Sequence, residues 1–152
     1  MSRRPIAPTV AETGPSPTAG PLRSETAGSL RMIWVTFRRV GIHCWPDAPE
    51  GTHYLRHPHR HVFHFRVWIE VFHGDREVEF HAFLRWIEGL YDDGMLQLGS
   101  RSCEMLADEL YASIAGAYGG REVWIEVSED GENGCCVRYL SRERHCGDGR
   151  KP

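Results

Sequence analysis

Apolar residues recur along this chain with two different periods, and the switches between them mark out its elements. Residues 32–42 (MIWVTFRRVGI) are rich in β-branched and aromatic side chains and predict a strand. A Pro- and Gly-punctuated loop over 44–56 follows, with Pro46, Pro49 and Gly51. Over 59–73 the chain alternates, with Phe63, Phe65, Val67, Ile69 and Val71 on one face and His64, Arg66, Trp68 and Glu70 on the other, as in a long half-buried strand. His73-Gly74-Asp75 signals a turn, and Glu77-Val78-Glu79 a brief returning strand. Phe80, Phe83, Leu84, Ile87, Leu90 and Tyr91 then fall at helical spacing, predicting a helix over 80–91. A second helix is predicted from Ser102 as N-cap, with Glu104 in its first turn, a stripe of Cys103, Leu106, Ala107, Leu110 and Ile114, and Gly119-Gly120 as its stop. Residues 122–127 and 135–140 complete the pattern as two strands joined by a hairpin through Asp130-Gly131-Glu132-Asn133-Gly134. Two strands, two helices and two strands in that order predict an α+β layer structure, an antiparallel sheet with both helices on one face.

Composition sets the limits of this domain. Residues 1–31 hold Pro5, Pro8, Pro15, Pro17 and Pro21 among small polar residues and read as a disordered leader, with Met32 an alternative translation start. Residues 141–152 read as a flexible polar tail, leaving 32–140 as the folded domain. A net charge of −3 argues against a nucleic-acid partner, and no apolar run approaches the roughly 20 residues of a membrane span. The expected compartment is the cytoplasm, where Cys44, Cys103, Cys135, Cys136 and Cys146, lacking C-x-x-C pairs, would remain thiols.

Histidine carries the chemistry. Of nine, five (His53, His57, His59, His61 and His64) fall within one twelve-residue stretch. Alternation puts His57, His59 and His61 on one face of a strand, where neighbouring imidazoles can converge on one ion. His43 ends the first strand, and consecutive antiparallel strands would bring it beside the start of the second. His43, His59 and His61 are therefore the expected metal ligands and Zn2+ the expected ion, with His57 supporting them from behind. His53, His64, His73 and His81 read as ordinary surface or hydrogen-bonded residues.

These residues resemble the 6-pyruvoyl-tetrahydropterin synthase and 6-carboxytetrahydropterin synthase family. That family's pattern is a strand ending in His, a loop, and then H-G-H plus an aromatic opening a long strand. Here the match is His43, then His59-Arg60-His61-Val62-Phe63. Val78-Glu79-Phe80 is similar to the family's entry to its first helix, Ser102-Cys103-Glu104 to its P-T-x-E start of the second, and Val123-Trp124-Ile125-Glu126 to its penultimate strand. The resemblance implies the tunnelling fold, a ring-shaped homo-oligomer such as a hexamer with active sites between subunits, and zinc on the three histidines. It also implies a strand glutamate, Glu126, anchoring a pterin-like small molecule, with Glu104 as a further substrate-binding residue. A carboxylate suits that role because it can accept two side-by-side N–H bonds from a 2-amino-4-oxo pyrimidine edge.

The departures from the pattern lie in the catalytic groups. Leu55 stands where the family has its cysteine, Arg60 stands between the two histidines, and the segment Tyr91-Asp92-Asp93-Gly94 offers carboxylates but no imidazole. Cys103, at a helix N-terminus, and Cys44, beside a metal ligand, are the candidate catalytic thiols. The expectation is a zinc-dependent lyase of the pterin synthase type, in or beside the route to 7-deazaguanine (queuosine) or tetrahydropterin. The alternative is a protein that binds metal and a pterin or purine ring without turnover.

Overall fold

A computed structural model describes residues 29–91 and 94–141. The leader expected over 1–31 and the tail expected over 141–152 lie almost wholly outside the described residues, as do Asp92, Asp93 and Cys146. Five strands form one mixed sheet: β1 (Met32–His43), β2 (His59–Glu70), β3 (Leu96–Gly99), β4 (Val123–Glu129) and β5 (Asn133–Tyr139), in the order β3-β1-β2-β4-β5. Two α-helices, α1 (Phe80–Glu88) and α2 (Cys103–Tyr118), follow β2 and β3, and a short 3₁₀ helix (Glu50–Arg56) links β1 to β2. The α+β class is as the periodicity predicts.

The sheet is built on the long β1/β2 pair, antiparallel from Met32↔Glu70 to His43↔His59. β2 pairs antiparallel with β4, and β4 with β5. The sheet is mixed rather than antiparallel because β3, a strand the pattern does not predict, runs parallel to β1 and covers its end near His43. With only four residues, two of them buried, β3 is too short for alternation to stand out.

Strand alternation decides where the core sits. Val35 and Phe37 of β1, Phe63, Phe65, Val67 and Ile69 of β2, and Val123, Ile125 and Val127 of β4 are buried on one face. Phe83 and Ile87 of α1 and Leu106, Leu110 and Ile114 of α2 cover that face and complete a single core cluster. Each such fully buried side chain contributes about 1.5–3 kcal/mol relative to its exposed state. The opposite face is open and carries a row of Trp34, Trp68 and Trp124 in register across β1, β2 and β4, with Trp34 58% exposed.

The segment 77–79 forms no strand. Instead the Glu79 carboxylate caps α1 by accepting from the His81 and Ala82 N–H groups, and Glu77 accepts from Arg121 at 2.6 Å. α1 stops at Glu88, short of the predicted 91, and α2 begins as predicted, with the Ser102 hydroxyl accepting from Met105 N–H. The β4–β5 turn is tighter than predicted: Asp130 and Gly131 both take left-handed backbone, at φ +55° and +76°.

Candidate metal centre

Beyond its buried rows the core face of the sheet changes character. In β1 the side chains that follow Phe37 at even spacing end at His43; in β2 those that precede Phe63 are His61 and His59; in β4 the one that follows Val127 is Glu129. Register aligns these ends, with His43 opposite His59, Gly41 opposite His61, and Phe63 opposite Glu129. The β1/β3 register shifts between Ile42 and His43, with Leu98 the extra residue on β3, and the Cys44 N–H donates to the Gly99 carbonyl at 2.8 Å. Gly41 is a position of close approach: a Cβ there would stand 2.8 Å from Leu98 and 3.0 Å from the Phe63 ring.

The result is a cluster of three imidazoles, His43, His59 and His61, each offering a ligand atom within 4.8 Å of the others. Their rings meet edge to face over Phe63, with centroids 4.6 to 5.3 Å apart. In every ring Nδ1 is taken by an acceptor: the Arg101 carbonyl at 3.2 Å from His43, the His57 carbonyl at 2.8 Å from His59, and the Asp130 carboxylate at 2.6 Å from His61. An acceptor at Nδ1 places a proton there, so in the neutral form of each imidazole Nε2 presents a lone pair. His57, read from sequence as a supporting residue, acts through its backbone carbonyl.

His43 Nε2 is buried and has no hydrogen-bond partner. The Glu129 carboxylate approaches it at 3.3 Å and His61 Nε2 at 3.6 Å, so with neutral imidazoles lone pairs of nitrogen and oxygen face one another across the same small space. A cation resolves that arrangement, and nitrogen donors whose other ring nitrogen is hydrogen-bonded to a carbonyl or carboxylate are what transition-metal sites use. These residues fit a divalent metal.

A cleft of about 620 Å³ opens beside the cluster, lined by His43, His59, Glu129 and the aromatic ring of Trp45. Cys44, Leu55, Cys103 and Glu104 also line it, so both candidate thiols share the cleft with two of the histidines. Leu55 contributes only hydrocarbon there. Burial pushes the Cys103 thiol up to about 12, with the negative charge of Glu129 adding to the effect. This is opposite to the lowering expected at a helix N-terminus. Cys103 Sγ accordingly stands as a donor, 3.9 Å from Glu129 Oε1. Its Ser102 neighbour holds the Glu104 carboxyl below its ordinary value.

Glu126 is not brought to this site. It belongs to the open face of β4, in a hollow with Arg38, His64 and Arg66, 4.0 Å from the Arg66 guanidinium. The strand carboxylate that faces the histidines is Glu129, three residues on, and the next residue, Asp130, reaches His61 from the other side. Neither was singled out from sequence, because both lie where the strand gives way to a turn and acids are ordinary. The signal was period two: Val123, Ile125 and Val127 point into the core, and Glu129 continues their series.

A scan against protein-family models and a search of curated proteins give no match for this chain. Among the described residues no helix is long and apolar enough to cross a membrane.

Proposed function

We propose that the chain is a zinc-dependent enzyme of the tunnelling fold that acts on a pterin or a related reduced purine-like ring, in or beside 7-deazaguanine or tetrahydropterin synthesis. The observation that carries this reading is the convergence of three imidazoles, each with an acceptor on Nδ1 that leaves Nε2 for an ion, beside a cleft with a carboxylate in its wall. Tridentate nitrogen coordination at a cleft leaves room for a further ligand, as in catalytic zinc sites. When bound, the ion would act as a Lewis acid on the hydroxyl or carbonyl oxygens of the ring's side chain.

Within this reading the anchoring role implied for Glu126 passes to Glu129, the strand glutamate on the face of the histidines. Its two oxygens can accept paired N–H groups from a pyrimidine edge, and Trp45 in the same cleft offers an apolar ring face. The Cys103 S–H is placed to give a hydrogen bond to a ligand or to Glu129. Ring assembly is part of the proposal: β3 and β5 are edge strands, and the open face with its tryptophan row is the kind of surface an oligomer covers. The described cysteines are free thiols, which suits the cytoplasm.

A second reading, a protein that binds metal and ring without turnover, is favoured by one observation. The cleft presents Leu55 at the position of the family's thiol, and the remaining buried thiol, Cys103, is held protonated. Incubating zinc-loaded protein with dihydroneopterin triphosphate and analysing the products separates the two. A new pterin product supports the enzyme, binding without product supports the second reading, and neither binding nor product overturns both.

A further inference from the structure

His61 is held between two consecutive carboxylates of one turn. Glu129 lies toward its Nε2 and Asp130 hydrogen-bonds its Nδ1 at 2.6 Å. The Asp130 contact, half-exposed to solvent, is fixed by hydrogen bonds of its own. Its Oδ1 accepts from the Val62 N–H at 2.8 Å, and its own N–H donates to the Val62 carbonyl at 2.8 Å. The Glu132 N–H closes the turn onto Glu129 at 3.0 Å. Its backbone is left-handed, at φ +55°, a conformation that costs an L-residue energy and is kept where the surroundings determine it.

We infer that Asp130 is a positioning residue for the metal centre: by accepting the Nδ1 proton of His61 it fixes the tautomer that leaves Nε2 free to bind the ion, and it sets the angle of the ring. The inference rests on the reading of the three histidines as a metal site. Of the three orienting acceptors, Asp130 alone is a side chain; His43 and His59 are oriented by backbone carbonyls that substitution cannot remove. A carboxylate there makes His61 a more basic ligand than a carbonyl would.

The geometry makes an unusual demand on Asp130→Asn. Asparagine is the residue, after glycine, that best accepts left-handed backbone, so a residue serving only the turn would be replaced by it without loss. The amide, however, faces two donors, His61 Nδ1–H and Val62 N–H. Whichever way it turns, its NH2 opposes one of them. Relief comes from moving the imidazole proton to Nε2, which blocks the metal-binding lone pair. Asp130→Gly, by contrast, keeps the turn, removes the carboxylate and leaves the ring free to choose its tautomer.

The test is Zn2+ affinity of the full chain by competition with a chromophoric chelator, for wild type, Asp130→Asn and Asp130→Gly, with the Co2+ visible spectrum as a second readout and circular dichroism to confirm the fold. Expected is stoichiometric binding in wild type, a loss of about 10- to 100-fold in Asp130→Asn with an altered Co2+ spectrum, and a smaller loss in Asp130→Gly. Should Asp130→Asn fail to fold, the weakened binding of Asp130→Gly carries the test. Wild-type affinity in the folded variants would overturn the positioning role while leaving the metal site intact. Absence of binding in wild type would overturn the site itself and the inference with it.

Discussion

His43 Nε2 and Glu129 Oε1 lie 3.3 Å apart at the end of the sheet that borders the cleft, and no hydrogen bond joins them. The Arg101 carbonyl takes the Nδ1 side of His43, so with that ring neutral a nitrogen lone pair and a carboxylate oxygen confront each other. Leaving such a buried group unpaired costs about 1–3 kcal/mol. The three imidazoles would hold a divalent cation there, and its binding would offset that cost.

The two strand glutamates are therefore expected to part company. Glu129→Gln should weaken pterin binding about 10-fold, the worth of a hydrogen bond to a charged group compared with a neutral one, when followed by fluorescence titration of the zinc-loaded protein. Glu126→Gln, on the open face beside Arg66, should leave it within about twofold. The reverse order would restore Glu126 as the anchor and remove Glu129 from the cleft's chemistry.

Gly41 links packing to the site. It faces His61 across the β1/β2 pair, and an added methyl would press on Leu98 and on Phe63, the ring beneath His43 and His61. Gly41→Ala should cost about 1–3 kcal/mol of stability, read as a lowered denaturant midpoint, and should weaken metal binding as well. An unchanged midpoint would show that Leu98 and Phe63 yield freely, and that the site is not held by their packing.

Much of this was legible in the chain. Period-two alternation in 59–73 identifies the core face of β2, and the Ser102 cap starts α2 where the sequence places it, because cap and alternation are local properties. The three histidines could be grouped because consecutive strands pair. Illegible were contacts made by irregular backbone and short elements. Leu96–Gly99 is too brief to show a period, and Glu79 serves as a cap rather than a strand residue. Asp130 reaches across 69 residues of sequence to His61 from a turn whose composition looks ordinary. Glu126 was singled out on a short local match, whereas the face on which each glutamate stands follows from counting in twos to Glu129.

Thiol reactivity should follow burial rather than helix position. Burial and Glu129 raise Cys103 from 9.0 to about 12, so at neutral pH it stays protonated and its thiolate appears only as pH climbs toward that value. In metal-free protein treated with iodoacetamide at pH 8, exposed Cys136 should be alkylated first and Cys103 last among the described cysteines, as mapped by peptide mass spectrometry. In the window between those two values the unfolded chain loses the proton and the folded chain keeps it, so this group's contribution lowers stability as pH rises. Rapid labelling of Cys103 at neutral pH would instead support it as an activated nucleophile.

Metal content tests the central claim most directly. Elemental analysis of purified wild-type protein and of the His59→Ala/His61→Ala double variant, both confirmed folded by circular dichroism, should show one equivalent of zinc per chain in the first and a trace in the second. Folded wild-type protein that neither carries a stoichiometric divalent metal nor takes up added zinc would contradict the account, and the three histidines would then be a hydrogen-bonded cluster and nothing more.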